Sequence, residues 1–119
     1  MKLVLFKPRN LGFLLRMIKE NLTNKIIKKP ELTNSVKEFV LNNAIRNNPD
    51  SVLDVMDKYA KKERFLMNVG DVKGKILVQE ITKLGKNPII LELGCFCGYS
   101  AILMAKNIDE KGKIVSIEV

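Results

Sequence analysis

The sequence predicts an α/β fold in which several helices lead into a βαβ unit. Three features carry that expectation. Ile89–Leu93 is an unbroken β-branched and aliphatic run ending in Glu-x-Gly, and Ile114–Val119 is a second such run. Between them, Ser100 to about Asn107 is apolar almost all round and is entered through a turn with glycines at 94 and 98. Strand, crossover helix and strand imply a parallel pair with a right-handed connection. At 119 residues the chain has room for one small domain with a modest core.

The first thirty residues stand apart. They hold eight Lys/Arg against one acid, Glu20, whereas residues 31–119 hold thirteen against twelve. Most of the net charge of +8 therefore belongs to an N-terminal arm. A uniformly basic nucleic-acid binder is not patterned in this way, so no nucleic-acid partner is expected. Within the arm, Leu11, Leu14, Leu15, Ile18, Leu22 and Ile26 follow helical spacing, with Arg16, Lys19 and Lys25 between them. Such a basic amphipathic helix suits an anionic membrane surface, and it equally suits packing on the domain. No apolar run reaches the roughly 18–20 residues of a spanning helix, and Leu3–Phe6 is too short for a signal-peptide core. The two cysteines form no disulfide framework, which suggests a reducing compartment, either the cytosol or the cytosolic face of a membrane. The absence of histidine excludes a Cys/His zinc site, a Ser-His-Asp triad and any histidine acid–base step from these residues.

After Pro30 a helix is expected to start near Asn34 or Ser35, where Ser35 and Glu38 have capping-box spacing, with Val36, Phe39, Val40 and Ala44 on one face. Arg46–Asp50 reads as a turn. The next helix carries Val52, Val55, Met56 and Tyr59 on one stripe. Phe65–Lys75 is less regular, and Gly70 and Gly74 would weaken a helix interior, so a loop leading into a helix is expected there. Ile76, Leu77, Ile81 and Leu84 continue a helical face, which Gly85 and Pro88 terminate. The unbroken run Ile89–Leu93 suits a strand buried on both faces.

The glycine turn lies at the carboxyl end of the first strand, where open α/β sheets bind ligands. Gly94 lets the backbone turn sharply, and Gly98 permits close approach at the helix start, where unpaired amides could meet an electronegative group. Glu118 follows Gly98 by twenty residues, at the end of the second strand. An acid there can accept both hydroxyl hydrogens of a ribose. The spacing E-x-G-x-x-x-G has Phe96 where a dinucleotide fingerprint needs its second early glycine. A nucleoside without phosphates, such as S-adenosylmethionine, fits better than a backbone-cradled pyrophosphate. A purely structural glycine turn is the alternative. Cys95 and Cys97 read as small side chains packed in a tight turn, because a lone C-x-C lacks the ligands for a tetrahedral metal site.

Met67–Ile76 ("MNVGDVKGKI") followed by Leu91–Ala101 ("LELGCFCGYSA") closely resembles the catechol O-methyltransferase family, which carries M-N-V-G-D-x-K-G and L-E-L-G-A-Y-C-G-Y-S at the same separation. Ser51–Gly70 is similar in register, and the likeness runs from about Asn34 to Val119. The resemblance implies the N-terminal portion of a Rossmann-like, S-adenosylmethionine-dependent methyltransferase fold: residues 1–30 as the arm, and residues 31–119 as the first part of a class I methyltransferase domain that stops after its second strand. It implies methyl transfer from S-adenosylmethionine to a catechol hydroxyl, with Mg²⁺ holding both catechol oxygens. A related Mg²⁺-dependent O-methyltransferase with another phenolic acceptor, or a non-catalytic cofactor-binding or membrane-docking fragment, are the alternatives.

Residue by residue, Val69 resembles the valine whose backbone meets the methionine part of the cofactor. Glu92 and Gly94 sit at the strand end beneath it. Ser100 resembles the serine that binds the methionine carboxylate, Glu118 the ribose-binding acid, and Val119 the residue beside the adenine. Phe65 and Met67 match the aromatic and the methionine near the catechol and the reacting methyl. Two positions depart from the family: Phe96 replaces a tyrosine beside the cofactor and lacks its hydroxyl, and Phe65 replaces a tryptophan. The family's metal ligands and its lysine near the reacting hydroxyl have no counterpart before Val119, so no catalytic residue and no metal ligand is assigned to this chain.

Overall fold

The computed structural model describes residues 31–119 and, in the arm before them, Leu15 and Ile18. The chain divides after Glu31, and Leu32–Val119 forms a unit of its own. Its elements run in the order α1 (Leu32–Asn43), α2 (Pro49–Lys62), α3 (Gly70–Thr82), β1 (Ile89–Leu93), α4 (Tyr99–Ala105) and β2 (Lys113–Ile117). Helices followed by a small parallel sheet make a partial Rossmann-like α/β fold. β1 and β2 pair in parallel, with Ile90 opposite Ile114 and Glu92 opposite Ser116.

α1 begins at Leu32, ahead of the expected start, so Ser35 lies inside the helix and not before it. α2 is set by its N-terminus: Asn48 Oδ1 accepts from the Ser51 amide at 3.0 Å, and Pro49 occupies the first turn, where its missing N–H costs nothing. Val36 of α1, Leu53, Met56 and Tyr59 of α2, Leu66 and Tyr99 form the core cluster. Phe39 packs edge-on against Tyr59, with ring centroids 5.2 Å apart.

Three further expectations fail. The irregular segment is shorter than expected, since α3 starts at Gly70 and holds Gly74 in its interior. Glycine is tolerated there because α3 presses on α4: a β-carbon at Gly74 would lie 2.8 Å from Leu103 Cδ2. β1 is not buried on both faces. Ile89, Leu91 and Leu93 are 82, 62 and 76% exposed, and Val115 and Ile117 continue the same bare face on β2. Only the opposite face, carrying Ile90, Glu92 and Ile114, is covered. α4 is correspondingly less enclosed than its apolar sequence suggests: Tyr99 and Met104 are buried, while Ala101, Ile102 and Leu103 are half-buried.

Candidate functional site

The chain leaves β1 through a bend with three left-handed residues in five: Gly94 at φ 87°, Phe96 at 48° and Gly98 at 80°. The Gly94 amide extends the sheet by donating to the Ile117 carbonyl, and the Gly98 amide closes the turn onto the Cys95 carbonyl, both at 2.8 Å. A β-carbon on Gly94 or Gly98 would meet nothing within 4 Å. These glycines are therefore required by backbone conformation, and the space before them is open. Phe96 adopts its left-handed conformation without that freedom. Its amide donates to Glu118 Oε2, which clamps the bend to the end of β2. The Phe96 and Val119 amides hold the Glu118 carboxyl below the usual glutamate range.

Beneath the bend lies Glu92, the one buried charged side chain among the described residues. Ser100 donates its hydroxyl hydrogen to Oε1, and Ser116 donates to Oε2. Both carboxylate oxygens of a group taken out of water are thus satisfied. The Ser100 hydrogen is committed to Glu92 in this state.

Two cavities open on the bend. One, of ≈140 Å³, is lined by residues of the Met67–Val69 segment together with Gly94–Cys97, Tyr99 and Ser100. The other, of ≈420 Å³, is lined by Leu32, Phe65, Met67, Gly94, Phe96 and Glu118. Of the residues singled out in the sequence, Val69, Gly94, Phe96, Ser100 and Met67 meet at the first cavity, and Phe65, Met67, Gly94, Phe96 and Glu118 meet at the second. Glu92 supports Ser100 from below. Val119 lines neither cavity and is fully exposed. Met67, although it borders both cavities, is 82% exposed.

Cys97 behaves as a packing group, while Cys95 lines the smaller cavity. Cys97 lies against the core cluster, and burial pushes its thiol pKa up, so it stays protonated. Among the described residues no three His, Cys, Asp or Glu side chains gather into a candidate metal site. No described helix is long and apolar enough to cross a membrane. Sequence reasoning missed Asp57, Asn68, Tyr99 and Ser116. Asn68 Nδ2 is buried beside the smaller cavity with no hydrogen-bond partner. The available signal was Tyr99 itself, an amphipathic ring between a turn glycine and a helix-start serine, whose hydroxyl needs a partner once buried.

Comparison with known proteins agrees with this architecture. A family model described as O-methyltransferase matches residues 43–119. The chain is 36% identical to the catechol O-methyltransferase of Mus musculus over 84 residues, which is 71% of this chain and 31% of that protein. It is 35% identical to the Bos taurus catechol O-methyltransferase over 103 residues, 80% of this chain and 38% of that one. It is 33% identical to the transmembrane O-methyltransferase of Homo sapiens over 81 residues, 67% and 27% of the two chains. The match thus spans between about a quarter and two fifths of these relatives' length. By the family model and by these relatives, the chain belongs to the O-methyltransferase family that includes catechol O-methyltransferase.

Proposed function

We propose that this chain is the cofactor-binding, N-terminal part of an S-adenosylmethionine-dependent O-methyltransferase whose acceptor is a catechol hydroxyl. One arrangement carries the reading. The Glu118 carboxylate beyond β2 and the Gly94–Phe96 bend beyond β1 border one cavity at the carboxyl ends of two parallel strands, where α/β sheets take their ligands.

When bound, the cofactor supplies an electrophilic methyl group on a sulfonium. The chain's own contribution is placement, which converts an encounter into a near-attack arrangement. Glu118 would accept ribose hydroxyls on carboxylate lone pairs that the Phe96 amide leaves free. Ser100 would turn its hydrogen from Glu92 toward the amino-acid carboxylate, with the Ser116 hydrogen bond left on Glu92. The Val69 backbone would meet the same end of the cofactor, and Val119 would meet the adenine. Phe65 and Met67, which border the larger cavity, would offer apolar surface to an aromatic acceptor. The described residues offer no cluster that would hold the Mg²⁺ the resemblance implies, so no step is assigned to a metal here.

Titration calorimetry with S-adenosylmethionine tests the reading. The parent chain should bind, and Glu118→Ala should weaken binding by roughly tenfold, the loss of charge-assisted hydrogen bonds. Unchanged affinity in the variant would remove Glu118 from the site. No binding by the parent would remove the cofactor reading altogether. Adding catechol and a monophenol in turn to the cofactor-loaded chain separates a catechol acceptor from another phenol.

A further inference from the structure

Tyr99 stands between two residues of the site, Gly98, which precedes α4 in the left-handed region, and Ser100. Its ring is 4% exposed, in the core with Val36, Leu53 and Met56. Packing holds the ring, and the hydroxyl adds direction. It donates to Asp57 Oδ2 on α2 at 2.9 Å, across 42 residues of sequence. Asp57 also borders a third segment. A β-carbon built on Gly70 would lie 3.9 Å from Asp57 Oδ1 and 3.9 Å from Asn68 Oδ1. One carboxylate thus sits where α2, the Asn68–Gly70 segment and the first turn of α4 converge. The last two bring Val69 and Ser100 to the same cavity.

Burial, more than any neighbour, pushes the Asp57 carboxyl pKa up; Asp71 and Asp54 push the same way, while the Tyr99 hydroxyl and Lys61 oppose them. The net direction says that the fold disfavours the charge. At the meeting point of three segments, its hydrogen bond to Tyr99 constrains how the first turn of α4 sits on α2.

We propose that Tyr99 and Asp57 are a positioning pair for the cofactor site: their hydrogen bond locks the first turn of α4 to α2 beside the Asn68–Gly70 segment, and so sets where Ser100 and Val69 meet the amino-acid end of S-adenosylmethionine. The inference rests on the cofactor-binding function proposed above.

The test measures S-adenosylmethionine affinity by calorimetry and thermal stability by circular dichroism on the full chain and three variants. Tyr99→Phe keeps the ring and removes the bond, and should weaken binding about tenfold at a temperature where it is fully folded. Asp57→Asn keeps an acceptor oxygen and should stay within about twofold of the parent. Asp57→Ala should match Tyr99→Phe, and it decides the matter if Tyr99→Phe does not fold. Parent-like affinity in Tyr99→Phe or Asp57→Ala, with only the melting temperature lowered, overturns the pair and leaves the cofactor site standing. Failure of the parent to bind removes the cofactor site and the pair with it.

Discussion

Phe96 holds φ at 48°, a conformation that costs an ordinary residue about 1–2 kcal/mol. It persists because Glu118 takes its amide and because Gly94 and Gly98 absorb the flanking bends without strain. Gly94→Ala should therefore destabilise the chain by about 1–2 kcal/mol although a methyl group there meets nothing, read as a lower urea midpoint with unchanged slope. The acids of the site respond to pH in opposite senses. Glu118 is depressed below its ordinary 4.5, so its contribution is present above that value and is lost as pH falls through the depressed one. Asp57 is raised above 3.8, so its contribution is fullest below 3.8 and is lost as pH rises through the raised value. Urea melts from about pH 7 down to pH 3 should show Glu118→Gln losing part of the acid-side fall and Asp57→Asn gaining relative to the parent at neutral pH. The left-handed glycines and the position of Glu118 beside the bend were legible in the sequence because turn chemistry and spacing are local. The Ser100–Glu92–Ser116 network and the Tyr99–Asp57 bond were not, because each joins residues that only the fold brings together.

α3 shows how a tertiary contact overrides propensity. Its glycines argued for a loop, yet the helix runs through Gly74 because α4 lies against it. Gly74→Ala sets two effects of similar size against each other: a helix-propensity gain of about 1 kcal/mol and a displaced Leu103 methyl costing about 0.5–1.5 kcal/mol. The net change should be close to zero, whereas Gly74→Leu overfills the contact and should lose about 1–3 kcal/mol; thermal melts of the two variants check this. β1 was legible to the residue, since an unbroken aliphatic run is a strong local signal; α2 was legible as a stripe, but it begins at Pro49, inside the stretch Arg46–Asp50 read as a turn, because Asn48 caps it and proline suits a first helical turn. The start of α1 and the burial of β1 were not. The first depends on where the chain meets the core, and the second on what covers a sheet, which an apolar run alone does not specify.

Five aliphatic side chains, Ile89, Leu91, Leu93, Val115 and Ile117, share the uncovered face of the parallel pair. Sheets of this kind are stable when both faces are covered, so the isolated chain presents a patch that binds apolar probes. Leu91→Gln with Leu93→Gln should reduce the fluorescence of a hydrophobic dye while leaving the helical signal unchanged; equal dye binding would place the exposed surface elsewhere. The arm poses a separate question of charge. Leu15 and Ile18 are helical and exposed, one turn apart, and the rest of the expected amphipathic helix lies outside the described residues. Eight cations against a single acid before Pro30, set among aliphatic residues at helical spacing, are the pattern of a helix that docks on an anionic lipid surface or packs on the domain, and vesicle binding separates the two. For the first, the full chain should co-sediment with phosphatidylserine-containing vesicles and not with neutral ones. Binding should fall as salt shortens the screening length from about 10 Å at 0.1 M, and removal of residues 1–30 should abolish it. Equal binding without the arm would transfer the attraction to the apolar sheet face, whose association charge screening does not weaken.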